Sequence, residues 1–278
     1  MTLSMAGFAA NDALMKAIAP EVGFYQTILL RGIGATLVMA LLAWRLGALR
    51  RLPPRGDWPW LGLRGVAEIG ATLCYLTALV NLPLATVSAI AQTMPLMITV
   101  AGAVFLAERV GWRRWAAVGV GFGGVLLILR PGGEAFDPAM LWALSGVVCF
   151  TVRDLATRRL SGATHSALVT LATAFGVTVM GGVGALAHPW NAVEPIEMAG
   201  IAVTVGFILA GYYCGVVAMR SGDVGFVAPF RYSVLIWALL IGYLAFDERP
   251  DGPTWIGAGI VVAAGLYTFF RERRLARA

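Results

Sequence analysis

The sequence predicts an all-α polytopic membrane protein, with ten transmembrane helices as an inverted five-plus-five repeat and both termini cytoplasmic. Three observations predict it. Hydrophobic residues make up 59% of the chain and charged residues only 13%, with a mean hydropathy of +0.79, whereas soluble domains carry about 25% charge. A helix needs roughly 20 apolar residues to cross a bilayer. Ten stretches approach that length, near 2–19, 23–44, 58–80, 84–106, 112–130, 138–157, 165–187, 197–219, 224–246 and 254–270. The third observation is duplication: residues 71–130 lie over 211–270 at a constant offset of 140, bringing Cys74 onto Cys214, Gly102 onto Gly242, Glu108-Arg109 onto Glu248-Arg249 and Trp115 onto Trp255.

The spans are set by what interrupts them. The first has no basic residue in its opening ten positions and is broken by Asp12 and Lys16, unlike a cleaved signal peptide. Arg50-Arg51-Leu52-Pro53-Pro54 follows the second span, Asn81-Leu82-Pro83 the third, and Arg130-Pro131-Gly132-Gly133 the fifth. His188-Pro189 follows the seventh and Arg249-Pro250-Asp251-Gly252-Pro253 the ninth, all of them turn chemistry. Most spans lack alternation and exceed strand length, which favours a helix bundle over a barrel. Trp44, Trp58, Trp60, Trp112, Trp115, Trp142, Trp190 and Trp255 fall at span ends, as interfacial belts require, with Trp237 the exception. Cys74, Cys149 and Cys214 lie within spans without metal-ligand spacing and read as small apolar fillers.

The net charge of +6 is topological rather than a nucleic-acid footprint. With the N-terminus inside, the inner loops and tail hold Arg45, Arg50, Arg51, Arg55, Arg109, Arg113, Arg114, Arg153, Arg158, Arg159, Arg220 and the arginines from Arg271 onward. Lys16, Arg130 and Arg249 remain outside, so the positive-inside rule places both termini in the cytoplasm of a multi-pass inner (plasma) membrane protein. Five is odd, so the second half enters the membrane from the opposite side. The expected units are therefore residues 1–134 and an inverted 135–278. Upstream, an offset of 142 brings Phe8 onto Phe150, Asp12 onto Asp154 and Lys16 onto Arg158.

The segment from Ala78 through Asn81-Leu82-Pro83 and Thr93-Met94-Pro95 to Phe105-Leu106-Ala107-Glu108-Arg109 carries a family likeness. Its second copy runs from Ala218-Met219-Arg220-Ser221-Gly222-Asp223 to Phe246-Asp247-Glu248-Arg249-Pro250. With Arg31 in span two and glycine-rich spans five and ten, the chain resembles the EamA-type members of the drug/metabolite transporter superfamily over essentially its whole length. That resemblance implies a central cavity lined mainly by spans three, four, eight and nine. Within the family the aromatic-rich spans resemble the YddG-type exporters of aromatic amino acids. Phosphate- and nucleotide-sugar-carrying relatives use cavity lysines, whereas Lys16, this chain's only lysine, sits at a span end.

Intramembrane polar groups nominate the site. Ser88, Gln92, Pro95 and Thr99 share one face of span four, a stripe lipid cannot satisfy. Pro95 is expected to free a carbonyl near Ala91. The alternative is interhelical packing at a kink. Arg231 lies eight residues past Asp223, about 12 Å deep, as a bidentate donor for a carboxylate, or as a structural partner of Glu68 or Asp12. Phe226, Phe230, Ser233 and Trp237 share an adjoining face, and Pro229 loosens the backbone there. Tyr75 in span three, with Tyr212 and Tyr213 in span eight, need hydrogen-bond partners and so should border the cavity. Glu68 is the proton-coupling candidate, or else the partner of Arg64 four residues earlier. Asp12–Lys16 and Asp154–Arg158 are spaced as local i,i+4 pairs. Arg31 reads as structural. Gly119 and Gly123 form a GxxxG, echoed by Gly259 and Ala263, for close contact within the fold or between protomers.

Substrate-binding residues are thus expected among Tyr75, Ser88, Gln92, Tyr212, Tyr213, Phe230, Arg231 and Trp237, with coupling or gating at Glu68, Asp12, Pro95 and Pro229. No catalytic residue, metal or cofactor is expected: the sequence has no HExxH, GxSxG, Walker A or CxxC. The expected partners are a small-molecule substrate and the lipid bilayer, without nucleic acid, and the chain is expected as a monomer with a dimer as the alternative. The function expected is secondary transport of small metabolites, amino acids including aromatic ones foremost, by alternating access. Alternatives are export of cationic toxins, nucleosides or riboflavin-like compounds, an intramembrane enzyme, or a scaffold.

Overall fold

The structure is a computed structural model that describes residues 1–50, 52–105, 111–131, 136–221 and 227–277. Among these the chain is all-helical: α1 (Thr2–Val22), α2 (Phe24–Arg45), α3 (Trp58–Asn81), α4 (Leu84–Ala91), α5 (Met94–Phe105), α6 (Trp112–Leu129), α7 (Ala139–Arg158), α8 (Ser166–Leu186), α9 (Pro195–Ser221), α10 (Ser233–Phe246) and α11 (Gly252–Arg277). Nine helical segments among the described residues are long and apolar enough to cross a membrane. The helix α1 has the length, but Asn11, Asp12 and Lys16 dilute its apolar character. Gly23 alone separates α1 from α2, at φ 102°, a backbone few side chains tolerate. The expected Glu108-Arg109, Asp223 and Phe226 features lie outside the described residues.

Two expected spans are not continuous helices. Span four splits into α4 and α5 at Gln92-Thr93. Span nine begins with a 3-10 turn, Ala228–Tyr232, before α10. Pro95 therefore sits in the first turn of α5, where its missing N–H costs nothing, rather than kinking one long helix. The stripe Ser88, Gln92, Pro95, Thr99 is divided by that break.

Helices pair across the two halves of the chain. The strongest contacts are α1 with α9, α2 with α8, α3 with α7 and α6 with α11, while α4 packs on α10. The main core gathers Met15, Leu79, Leu82, Leu84, Val87, Ile90, Ile128, Val147 and Leu235. Asp57, just before α3, accepts from the Ser161 amide at 3.2 Å and hydroxyl at 2.7 Å, and from the Thr164 hydroxyl. That ties the start of α3 to the α7–α8 loop.

The α6–α11 contact has no room for side chains at its crossing. A Cβ on Gly257 would stand 2.5 Å from the Gly124 carbonyl oxygen, and one on Gly124 2.8 Å from that of Gly257. The GxxxG glycines Gly119 and Gly123, and Gly259, have nothing within 4 Å and face away, so the close contact within the fold runs on a different face from the one expected. Gly257→Val is accordingly expected to cost about 1–3 kcal/mol or more by overpacking, while Gly119→Ala stays near neutral. Thermal melting of the detergent-solubilised protein separates the two, and equal melting temperatures would sink this packing.

The same helices are joined beyond their ends by Arg130, which donates to Asp251; Asp251 also accepts from the Thr254 hydroxyl at 2.6 Å. The Arg130 hydrogen bond, then that of Thr254, holds the Asp251 carboxyl down at about 2. A depressed carboxyl contributes stability above its unfolded value and loses it as pH falls through the folded one. The melting difference between the wild type and Asp251→Asn is thus expected to be constant from pH 7 to about 5 and to vanish between about 4 and 2. A difference that faded near pH 6 would mean another group titrates.

Candidate functional site

Polar side chains converge between α1, α2, α3, α7 and α9. Asp12 Oδ2 accepts from the Tyr75 hydroxyl at 2.7 Å, and its Oδ1 accepts from Asn11 Nδ2 at 2.9 Å. Arg31 Nη1 donates to Asn11 Oδ1 at 3.3 Å, so α2 reaches the Asp12 carboxylate through an amide relay. Toward the other end of α3, Glu68 meets Arg153 at 3.4 Å, and Arg153 also holds Asp154 at 2.8 Å. Arg64 donates to the Thr157 and Thr173 hydroxyls, each at 2.9 Å.

Aromatic rings border this cluster. The Arg153 guanidinium stands 4.8 Å from the Phe150 ring centre, and Phe150 meets Tyr75 edge-on at 5.8 Å. On the facing helix Tyr212 meets Phe8 edge-on at 5.2 Å and has Glu68, Arg153, Arg31 and Arg64 as electrostatic neighbours. Three acids, Asp12, Glu68 and Asp154, thus balance three arginines, Arg31, Arg64 and Arg153. Charges at membrane depth are costly unless paired or wet, and here each has a polar partner.

Duplication is visible in the site itself. The offset of 142 lays Asn11-Asp12 over Arg153-Asp154, and in each copy the residue before the aspartate donates to it. The offset of 140 lays the α4–α5 break at Gln92-Thr93 over Tyr232-Ser233, where the 3-10 turn gives way to α10. At both breaks a hydroxyl bonds the carbonyl three residues back, Thr93 to Ile90 and Ser233 to Phe230, each at 2.6 Å. Gln92 Nε2 donates to the Arg231 backbone carbonyl at 3.4 Å, so the two breaks touch.

Tyr75, Asp12, Glu68 and Tyr212, all predicted from the sequence, come together here. Several expected partners do not. Glu68 pairs with Arg153 rather than Arg64, because α7 packs along α3 and presents a cation across it. Lys16 leaves Asp12 and reaches Glu248 at 2.9 Å. Asp154 takes the neighbouring Arg153. Arg231 is exposed at the break, and none of the described ion pairs joins it to Glu68 or Asp12. Tyr213 is 72% exposed; Tyr212, 53% exposed, meets the cluster through Phe8 and the charges around it. Ser88 is buried within α4.

Pro229 and Phe230 line an apolar cavity of about 540 Å³ between the 3-10 turn, α10 and α11, together with Trp255 and Leu266, away from the charges. Trp237 Nε1 is buried without an acceptor among the described residues. Volume would choose that cavity, but its walls carry little that orients a polar solute, so the polar cluster is the better candidate. Sequence reasoning missed Arg153, Asn11, Phe150 and the two threonines. The 142 offset, carried one residue back from Asp154, would have found Arg153.

A family model described as the EamA-like transporter family matches residues 1–130 and again 137–270. An S-adenosylmethionine uptake transporter of Rickettsia bellii is 24% identical over 98% of this chain and 92% of its own. A riboflavin transporter of Rhizobium johnstonii is 30% identical over 80% of this chain and 74% of its own. A solved crystal structure, 22% identical, superposes with a TM-score of 0.59 over 98% of both chains, a likeness of fold. Neither relative is named for aromatic amino acids, so the expected YddG-type likeness gains no support from them.

Proposed function

We propose that this chain, which belongs to the EamA-like transporter family, carries small amino-acid-like zwitterions across the inner (plasma) membrane by alternating access. The multi-pass helical architecture and the transporter family supply the coarse reading. The charge-balanced cluster carries the finer one. A solute with net charge would leave an excess charge at membrane depth, which costs several kcal/mol. A zwitterion instead brings one charge of each sign and trades them against pairs already present. Its ammonium has Asp12, whose direct donors, Tyr75 and Asn11, are neutral. Its carboxylate has Arg31 or Arg153, forked donors suited to two oxygens. Tyr75, Tyr212 and Phe150 border the cluster, so aromatic amino acids fit this reading.

We propose two inverted repeat units, 1–134 and 135–278, in ten spans with both termini cytoplasmic. Their support is the double family match, the breaks at repeat-equivalent positions and the arginine-rich inner loops. Discontinuous helices meeting near the midplane are a recurrent way of building a transport site. S-adenosylmethionine, named for one relative, shares the amino-acid head, but its sulfonium gives it a net positive charge that sets it against this reading. A second reading, a flat and largely uncharged solute in the 540 Å³ cavity beside Phe230 and Trp255, is favoured by the riboflavin transporter relative.

Counterflow in proteoliposomes loaded with amino acids, S-adenosylmethionine or riboflavin tests both. Exchange of zwitterions but not of their methyl esters supports the cluster. Riboflavin exchange alone transfers the site to the apolar cavity, and exchange of none of them ends the proposal.

A further inference from the structure

Lys16 does not sit as an idle span-end charge. Its ammonium meets Glu248 Oε1 at 2.9 Å and donates to the carbonyl of Leu79 at 3.2 Å and to that of Leu82. The Leu79 carbonyl belongs to the last turn of α3 and that of Leu82 to its C-cap, the negative end of that helix. The other Glu248 oxygen, Oε2, accepts from the Leu84 amide at 2.7 Å, the first N–H of α4 and its positive end. The ion pair is therefore threaded into the Leu82-Pro83 turn, the cation on one helix end and the anion on the next. All three ammonium hydrogens have a partner, and the two side chains are only 13% and 11% exposed. The Phe246 ring, 5.6 Å away, closes one side.

We propose that Lys16 and Glu248 are the latch that holds the outer end of the transport pathway shut. The assignment rests on the transport reading and on the cytoplasmic placement of the termini. The pair joins α1 and the α3–α4 turn of one half to the residues after α10 of the other, so the halves cannot part there without breaking it. Directly beneath it lie Leu79, Leu84, Val87 and Ile90, each fully buried. Such a pair suits switching rather than permanent closure. What it gains in Coulomb attraction and hydrogen bonds when shut, it regains largely as hydration when open, so the two states stay near balance. The helix-end contacts make it directional as well, since each charge fits only its own side of the turn.

The test uses the full chain with Cys74, Cys149 and Cys214 replaced and Ser88→Cys as reporter, four residues and so about 6 Å beneath Leu84 on α4. Ala71→Cys, fully buried within α3, is the control. A membrane-impermeant maleimide is applied to right-side-out and inside-out vesicles. Lys16→Met or Glu248→Gln is expected to speed reporter labelling from outside at least about tenfold, with the control unchanged. Lys16→Glu combined with Glu248→Lys is expected to stay fast, because each charge then faces the wrong helix end. Unchanged labelling in both single variants overturns the latch, as does acceleration at both cysteines, which marks a loosened fold. Acceleration only in inside-out vesicles overturns the outer assignment. The readout needs no substrate, so failure of every solute in counterflow would remove the transport reading without touching this result.

Discussion

Arg153→Gln is expected to be the most destabilising single change in the intramembrane cluster, costing about 3–5 kcal/mol. Arg153 is shared: it meets Glu68 at 3.4 Å and Asp154 at 2.8 Å, and its guanidinium lies against Phe150. Removing it leaves two carboxylates on facing helices without their cation. Arg64, although near, is committed to Thr157 and Thr173. The damage is the uncompensated charge rather than the lost bond, so Glu68→Gln combined with Arg153→Gln should recover part of the stability. Arg153→Lys keeps the charge but replaces a fork by a point, and should fall between. Melting of the purified variants checks this order. Arg153→Gln within about 0.5 kcal/mol of wild type would mean that the cluster is already hydrated.

The fold was largely legible because helix length and apolarity are local properties. The second span was expected at 23–44 and is Phe24–Arg45; the third was expected at 58–80 and is Trp58–Asn81. The breaks in spans four and nine were half legible: Pro95 and Pro229 marked an irregular backbone, but not that the helices part at Gln92-Thr93 and Tyr232-Ser233. A span's apolar length says nothing about its backbone path. Side-chain partners were the least legible. The i,i+4 rule assumes that a charge pairs within its own helix, which suits an exposed helix in water. In this bundle Lys16 and Glu68 instead meet counter-charges brought by other elements, Glu248 and Arg153. Arg153 was counted as a loop cation because it falls near a span end, although α7 carries it inward on the face that meets α3. Depth at Arg231 is counted along a continuous helix in the sequence, whereas the chain there is a 3-10 turn.

Asp12→Asn is expected to leave the fold intact and reduce zwitterion counterflow about 10- to 150-fold, the equivalent of one lost charge-assisted hydrogen bond at about 1.5–3 kcal/mol. Both Asp12 oxygens are acceptors, toward Tyr75 and Asn11. An asparagine keeps one acceptor and turns a donor toward the other partner. If that partner is Tyr75, its hydroxyl can rotate to accept instead, so packing survives. What does not survive is the negative charge, and only a cationic group on the solute depends on it. The variant should therefore discriminate between solutes. Transport of an amino acid should collapse, while any residual transport of its deamino analogue, which has a carboxylate but no ammonium, should change by less than about threefold. Tyr75→Phe removes a donor to the carboxylate but not the charge, so amino-acid counterflow should fall less than in Asp12→Asn. Equal losses for the amino acid and its deamino analogue would show that Asp12 positions the helices rather than the solute. The ammonium would then have to be sought elsewhere in the cluster, at Glu68 or Asp154.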